Sequence, residues 1–134
     1  MANPLLGEYD IKLNGIEYNL KLNLNVIANY ENELSTDFLA DAYAGVNAMV
    51  EAAQYKEQPA RYASILCNAV SRTKAATLIY YAAKEVNSMV ELGEIEEAFI
   101  VDHGLDDKRF HPAIFTTLAL FAIQGNKPKK KETS

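Results

Sequence analysis

The sequence is short of the residues that most often build active sites and cross-links. Its 134 residues include one cysteine, two histidines, six glycines and no tryptophan. Because Cys67 stands alone, the chain has no internal disulfide and no cysteine-based metal site. No glycine-rich phosphate loop is present, and the longest apolar run, residues 113–123, is too short to span a bilayer. We therefore expect no cofactor and no membrane partner.

Positive charge is scarce outside the last nine residues. The chain has a formal net charge of -5, and residues 1–125 carry 9 basic against 17 acidic side chains. An acidic body repels a phosphate backbone, so we expect no nucleic-acid partner. Residues 126–134 hold four lysines, and this polar composition predicts a disordered basic tail. Residues 1–125 are predicted to form a single globular domain.

A β-hairpin is the clearest structural prediction. Asn14-Gly15 favours a two-residue type I′ turn, which pairs residues whose numbers sum to 29. In that register six apolar side chains share one face, at positions 9, 11, 13, 16, 18 and 20. A slip of one residue would destroy this pattern, so the register is well specified. An isolated hairpin is marginal in water, so we expect helices to cover its apolar face.

Helical periodicity fills the rest of the domain. The segments are separated by candidate caps and stops at Ser35-Thr36-Asp37, Pro59, Ser71 or Thr73, and Gly104. One stripe after Phe38 contains apolar residues at positions 39, 42, 43, 46, 49, 50 and 53. We predict a mainly α (α+β) fold, in which a hairpin over about residues 7–24 packs on five or six helices over about residues 26–124.

The last predicted helix, over residues 113–123, is apolar on nearly every side. Such a helix is buried either in a core or against a partner. Our first interpretation is a central core helix. The alternative is that part of it supplies a protein-binding or self-association surface, with the candidate residues Phe115, Leu118, Leu120, Phe121 and Ile123.

Two local patterns suggest chemistry, and in both we favour a structural interpretation. Ser71-Arg-Thr-Lys74 matches the Ser-x-x-Lys arrangement of serine enzymes, in which the lysine amine activates the hydroxyl. The companion motifs of those enzymes are missing, so a helix boundary is the better interpretation. Metal-ligand types also cluster within ten residues, at Asp102, His103, Asp106, Asp107 and His111. The flanking Gly104 and Pro112 indicate a solvated loop there instead.

Two further groups of reactive side chains have the same structural explanation. Glu91, Glu94, Glu96 and Glu97 flank Gly93 at a predicted helix start, where negative charge is favoured by the helix dipole. Cys67 lies on an apolar stripe, so we expect a buried structural thiol. We therefore predict no catalytic residue, no metal site and no enzymatic activity.

The N-terminal third combines several motifs. They are Ala2-Asn3-Pro4 leading to Gly7-Glu8, the turn at Asn14-Gly15, Leu22-Asn-Leu-Asn-Val-Ile27, and the acidic helix Asn29-Tyr-Glu-Asn-Glu-Leu34. Over roughly residues 2–40 this pattern resembles the tail assembly chaperones of long-tailed phages and of phage-like gene transfer agents. Beyond that region the resemblance is one of architecture, a helical remainder.

The resemblance implies a non-enzymatic protein that works in the host bacterial cytoplasm and is not expected in the mature virion. Members of this family bind the tape measure protein, a long helical chain that sets tail length, and keep it soluble during tail tube assembly. The tail tube protein and a second copy of the chain are further partners that this interpretation leaves open. An acidic body with an apolar surface suits helix-in-groove binding. The alternative function is a structural tail or head–tail component that is retained in the virion.

The lysines of the tail have a second explanation under the same resemblance. Genes of this family commonly end at a slippery site, where some ribosomes shift back one nucleotide and make a longer product. Lys129, Lys130 and Lys131 are candidates for residues encoded by such an A-rich run. A lysine tail that only improves solubility accounts for the same residues, so both explanations stand at this point.

Overall fold

A computed structural model describes residues 7–105 and 110–126. An antiparallel hairpin of β1 (Glu8–Leu13) and β2 (Ile16–Lys21) comes first. Six α-helices follow within the described residues: α1 (Leu24–Leu34), α2 (Phe38–Ala52), α3 (Pro59–Ala69), α4 (Arg72–Lys84), α5 (Leu92–His103) and α6 (Phe110–Gly125). A single 3₁₀ turn, Ala53–Tyr55, extends α2. The predicted fold class, a mainly helical chain with an N-terminal hairpin, is confirmed.

The hairpin has the predicted register at every pair. Leu13 lies opposite Ile16, and the pairing continues to Glu8 opposite Lys21. Asn14 and Gly15 adopt φ angles of 51° and 75°, as a two-residue turn with two left-handed positions requires. The apolar face packs against helices, since β2 contacts α4 and β1 contacts α5. Ile16, beside the turn, is the exception on this face and is 51% exposed.

Hydrogen bonds fasten both ends of the hairpin to helices. At the turn, the Asn14 backbone N–H donates to Asp102 Oδ2 at 2.7 Å. At the far end, Asn126 Nδ2 donates to the carbonyl oxygens of Leu22 at 2.8 Å and Ala122 at 2.7 Å. Asn126, the first residue of the predicted tail, is thus bonded to Leu22, the residue after β2, and the disorder of the tail stays a prediction. Residues 127–134 lie outside the described residues.

Side-chain caps explain where four helices begin. Asn23, Asp37 and Ser71 each accept a hydrogen bond from a backbone N–H three residues later, at the starts of α1, α2 and α4. At the start of α5, Glu91 and Glu94 form a reciprocal capping box. These bonds satisfy donors that the first helical turn leaves without partners. The predicted helix boundary at Ser71 is confirmed, and two of the four clustered glutamates, Glu91 and Glu94, cap α5.

The core is built around α4 and α6. Seven residues of α6 are buried, among them Phe115, Leu118 and Ala122, so the interpretation of this helix as a core helix is confirmed. Phe115 meets Tyr30 of α1 and Phe38 of α2, with ring centroids 5.9 Å and 6.4 Å away. None of the described helices has both the length and the hydropathy that crossing a bilayer requires.

Helix α3 is attached more lightly than the others. Leu66 is its single fully buried residue among Pro59–Ala69, and it packs with Ala48 and Ala52 in a small separate cluster. Cys67 is exposed, so the prediction of a buried thiol is wrong. The reason is rotation about the helix axis: successive residues are about 100° apart, and burial of Leu66 turns Cys67 outward.

Helices α2 and α6 approach closely at Gly45. A Cβ atom built at position 45 would lie 2.5 Å from Thr116 Oγ1 and 3.3 Å from Val70 Cγ2. Thr116 Oγ1 is itself buried without a hydrogen-bond partner among the described residues. The two helices can approach this closely because Gly45 has no side chain. The Thr116 hydroxyl occupies the space that a side chain at position 45 would need.

We predict that Gly45→Ala lowers the free energy of unfolding by about 1–3 kcal/mol, because the added methyl overpacks this contact. Adding Thr116→Ala to Gly45→Ala should recover much of that loss, since it removes the clashing hydroxyl. Urea denaturation followed by circular dichroism measures both variants. Gly93→Ala is the control, because a Cβ there meets nothing within 4 Å. If Gly45→Ala and Gly93→Ala behave alike, the close approach is not the constraint that we infer.

Tyr18 links the hairpin to α5 through a titrating pair. Its hydroxyl donates to Glu94 Oε2 at 2.6 Å. Burial, followed by this hydrogen bond, raises the pKa of Tyr18 to about 12. The hydrogen bond from Tyr18 in turn holds the pKa of Glu94 below its usual value. The folded chain thus favours the neutral tyrosine and the ionised glutamate.

These shifts predict how the stability difference between the wild type and Tyr18→Phe varies with pH. The wild type should be more stable by about 1 kcal/mol near neutral pH. The stabilisation that comes from the lowered pKa of Glu94 is fully present above its unfolded pKa of about 4.3. It is lost as pH falls through the lowered pKa of the folded chain. The stabilisation that comes from the raised pKa of Tyr18 is present below about pH 10 and is lost as pH rises toward about 12.

Urea denaturation across the pH range measures that difference. Tyr43→Phe is the matched control, because Tyr43 is exposed, and it should show no such dependence. A difference that stays constant from acid to alkali would contradict the role of the Tyr18–Glu94 bond.

Candidate protein-binding surface

The Ser-x-x-Lys pattern does not assemble a nucleophile. Ser71 Oγ accepts a hydrogen bond from the Lys74 backbone N–H at 3.2 Å and caps α4. The Lys74 amine instead forms an ion pair with Asp41 Oδ1 at 3.1 Å. Because the amine is paired with a carboxylate on another helix, the geometry supports a structural role for both residues.

Asp41 is the centre of a buried polar cluster. Its side chain accepts hydrogen bonds from Tyr30 Oη at 2.7 Å and Thr36 Oγ1 at 3.1 Å, besides the ion pair with Lys74. Burial, together with the bond to Asp41, raises the pKa of Tyr30 well above its usual value. The three donors come from α1, the α1–α2 turn and α4. The cluster therefore ties α2 to two neighbouring helices.

The proposed metal-ligand residues are engaged in other contacts. Asp102 accepts the bond from the hairpin turn, and the His103 ring stacks on Phe110 with centroids 3.8 Å apart. His111 is buried, whereas Asp106 and Asp107 lie outside the described residues. Across 7–105 and 110–126, no three His, Cys, Asp or Glu side chains come together as a metal site.

The five candidate binding residues of α6 separate into two groups. Phe115 and Leu118 are fully buried, so the folded chain does not expose them to a partner, and their binding role stays a prediction. They fill the core because their side of α6 faces α1, α2 and α4. Leu120 is 45% exposed, while Phe121 packs its ring on Tyr9 and Ile123 lines a groove. A binding role for these last three stays a prediction. Lys129, Lys130 and Lys131 lie outside the described residues.

Helix α2 carries more exposed large apolar side chains than any other described helix. Leu39, Tyr43 and Val50 are 45%, 54% and 64% exposed, and Met49 is also exposed. Together with the half-buried Val46, these residues form what we call the α2 ridge. Their spacing of three, four and seven residues places them along one side of the helix. An apolar helical stripe usually faces the core, but this one faces solvent.

Small residues on the opposite side explain this orientation. The buried side of α2 consists of Phe38, Asp41, Ala42, Gly45, Ala48 and Ala52. Four of those six are glycine or alanine, which let α6 and α3 approach closely. The larger apolar residues of α2 are consequently left outside. The sequence pattern shows the apolar stripe but not its exposure. The signal for that exposure is the row of small residues on the other side of the helix.

A groove adjoins the ridge between α1, α2 and the end of α6. We call it the α1–α6 groove; its volume is about 310 Å³, and its lining residues include Ile27, Glu31, Phe38, Leu39, Ala122 and Ile123. Leu39 belongs to both groove and ridge, so the two form one continuous apolar surface. Such a surface, open to solvent and mostly apolar, is suited to bind another polypeptide.

Comparison with known proteins identifies no relative. No family model matches the chain, and searches of curated proteins and of solved structures likewise find no match. The functional interpretation of the α2 ridge and the α1–α6 groove therefore depends on this chain's own residues.

The Asp41 cluster gives a test of its structural role. We predict that Asp41→Ala lowers the free energy of unfolding by about 2–4 kcal/mol, because two hydroxyls and an amine lose their acceptor in a buried place. Lys74→Met should lower it by about 1 kcal/mol, since Asp41 keeps both hydroxyl donors. Chemical denaturation measures both. An equal loss in the two variants would show that the ion pair, and not the hydroxyl bonds, dominates.

Proposed function

We propose that the protein is a non-enzymatic tail assembly chaperone of a long-tailed phage. It binds the helical tape measure protein in the host cytoplasm and keeps that protein soluble while the tail tube is assembled. The observation that carries this proposal is the α2 ridge, an exposed apolar stripe with helical spacing on an acidic chain. The resemblance over residues 2–40 supplies the identity of the partner, although residues 2–6 lie outside the described structure.

A protein that keeps a helical partner soluble must cover the apolar residues of that partner and stay soluble itself. A long amphipathic helix without its final neighbours exposes apolar residues at positions i, i+3, i+4 and i+7. A chaperone that covers them needs a complementary apolar surface and a charged exterior that prevents precipitation. The α2 ridge provides the first requirement, and the net charge of -5 provides the second.

The hairpin and the core serve to hold this surface in place. Phe38, at the start of α2, is packed against Tyr30 and Phe115, and Asp41 is bonded to three other residues. The ridge is therefore presented on a helix whose other side is fixed. A preformed surface loses less conformational entropy on binding than a flexible one.

Co-expression of this chain with a phage tape measure protein from the same genome tests the proposal. A triple variant, Leu39→Gln, Tyr43→Gln and Val50→Gln, removes three ridge side chains while keeping good helix formers. Loss of a central, well-packed contact at a binding surface costs about 1 kcal/mol or more, whereas most peripheral contacts cost less. We expect affinity to fall roughly 100-fold, so the tape measure protein should move from the soluble fraction to the pellet.

The matched control is a triple variant of exposed apolar residues elsewhere, Val86→Gln, Val101→Gln and Leu105→Gln. It removes similar apolar area and should leave the tape measure protein soluble. Failure of the wild-type chain to co-purify with a soluble tape measure protein would reject the proposed function. Recovery of the chain from purified virions would favour a structural tail or head–tail component instead. Leu120→Gln, tested separately, measures the contribution of α6.

A further inference from the structure

Among the described residues, the charged side chains of the elements that line the α1–α6 groove have one sign. Between Leu22 and Tyr55 the sequence contains no lysine or arginine but five carboxylates, at positions 31, 33, 37, 41 and 51. Helix α6, which closes the groove, has no lysine or arginine either. Lys74 of α4 reaches α2, where its amine is paired with the Asp41 carboxylate. The groove and the ridge thus form an apolar surface with an acidic border.

Glu31 is the carboxylate that lines the groove itself. Its Oε2 accepts a hydrogen bond from the Phe38 backbone N–H at 2.8 Å, so its position is fixed by the start of α2. Glu33 and Asp37 do not line the groove; Glu33 accepts a hydrogen bond from Tyr81 Oη, and Asp37 caps α2. A carboxylate held at the edge of an apolar groove is a defined site for a cation on a bound polypeptide.

The length of the surface sets the size of what it binds. Leu39, at the groove, and Val50, at the far end of the ridge, are eleven residues apart, which is roughly 16 Å along the helix axis. A partner helix of about three turns would cover this distance. An apolar side chain of that helix would enter the groove, and a basic residue one turn away would reach Glu31.

We propose that the α1–α6 groove and the α2 ridge together bind an amphipathic helix whose apolar stripe is flanked by lysine or arginine. This inference rests on the proposed function and specifies the chemistry of the segment recognised. Apolar contact supplies most of the affinity, because the surface is mainly hydrophobic. The acidic border supplies selectivity, because it attracts basic flanks and repels acidic ones.

The test uses the full chain and two fluorescein-labelled helical peptides of about five turns. Both carry the same leucine stripe, but one has lysine flanks and the other glutamate flanks. Fluorescence anisotropy at low salt should show the lysine peptide binding about tenfold more tightly. High salt should reduce this preference, since exposed charges are screened. Equal affinity for both peptides would overturn the proposal.

The variant Glu31→Gln tests whether the Glu31 carboxylate is responsible for the preference for the lysine peptide. The glutamine retains an oxygen acceptor for the Phe38 N–H but has no charge, so the fold should be kept and circular dichroism checks it. Affinity for the lysine peptide should fall roughly fivefold, equivalent to about 1 kcal/mol, with little change for the glutamate peptide. The control is Glu97→Gln on α5, which does not line the groove. An unchanged lysine-peptide affinity in Glu31→Gln would overturn the assigned role of Glu31.

Two other occupants are distinguishable from a foreign helix. If a second copy covers the surface, analytical ultracentrifugation will show a dimer that the triple ridge variant abolishes. If the chain's own lysines cover it, replacing Lys129, Lys130 and Lys131 with glutamine will increase peptide affinity. Either result would overturn the proposal. Charge-selective peptide binding without rescue of the tape measure protein would reject the proposed function alone, while rescue without charge selectivity would reject this inference alone.

Discussion

The close contact between α2 and α6 at Gly45 is the constraint on which the rest of the arrangement depends. With no Cβ at that position, the backbone of α2 approaches Thr116 and Val70, and Phe38 reaches the aromatic cluster with Tyr30 and Phe115. A helix can turn one side toward a neighbour at this distance only if that side is small. The larger apolar residues must then point away, and the α2 ridge is the result.

Polar contacts at Asp41 join α2 to α1, to the α1–α2 turn and to α4. Asp41 lies inside a mostly apolar region, and each of its contacts crosses to another segment, namely Tyr30, Thr36 or Lys74. Such a buried group is tolerated because its acceptor capacity is filled. The close approach at Gly45 and the polar cluster at Asp41 are one turn apart on α2, and together they fix both the rotation and the position of that helix.

Local rules explain why the hairpin and the helix boundaries were predictable. The register follows from Asn14-Gly15 and a two-residue period, and helix starts follow from side chains such as Ser71 that bond within their own first turn. The buried side of α2 depends on which helix packs against it, which no local pattern contains. The same limit applies to α6: because it is apolar all round, no polar side distinguished Leu118 from Leu120. The predicted burial of Cys67 is wrong for a related reason: the apolar stripe of α3 does not show that only Leu66 of this helix is buried.

The bond from Asn126 to Leu22 has a geometric consequence for anything joined after residue 134. Asn126 lines the α1–α6 groove and is held there by two carbonyl oxygens. The eight residues from 127 to 134 span at most about 28 Å when fully extended. A second polypeptide fused to that end is therefore tethered beside the groove at an effective concentration of about a millimolar. If each part of such a fusion bound the same partner weakly, the overall affinity would exceed that of either part, because the two binding sites are linked.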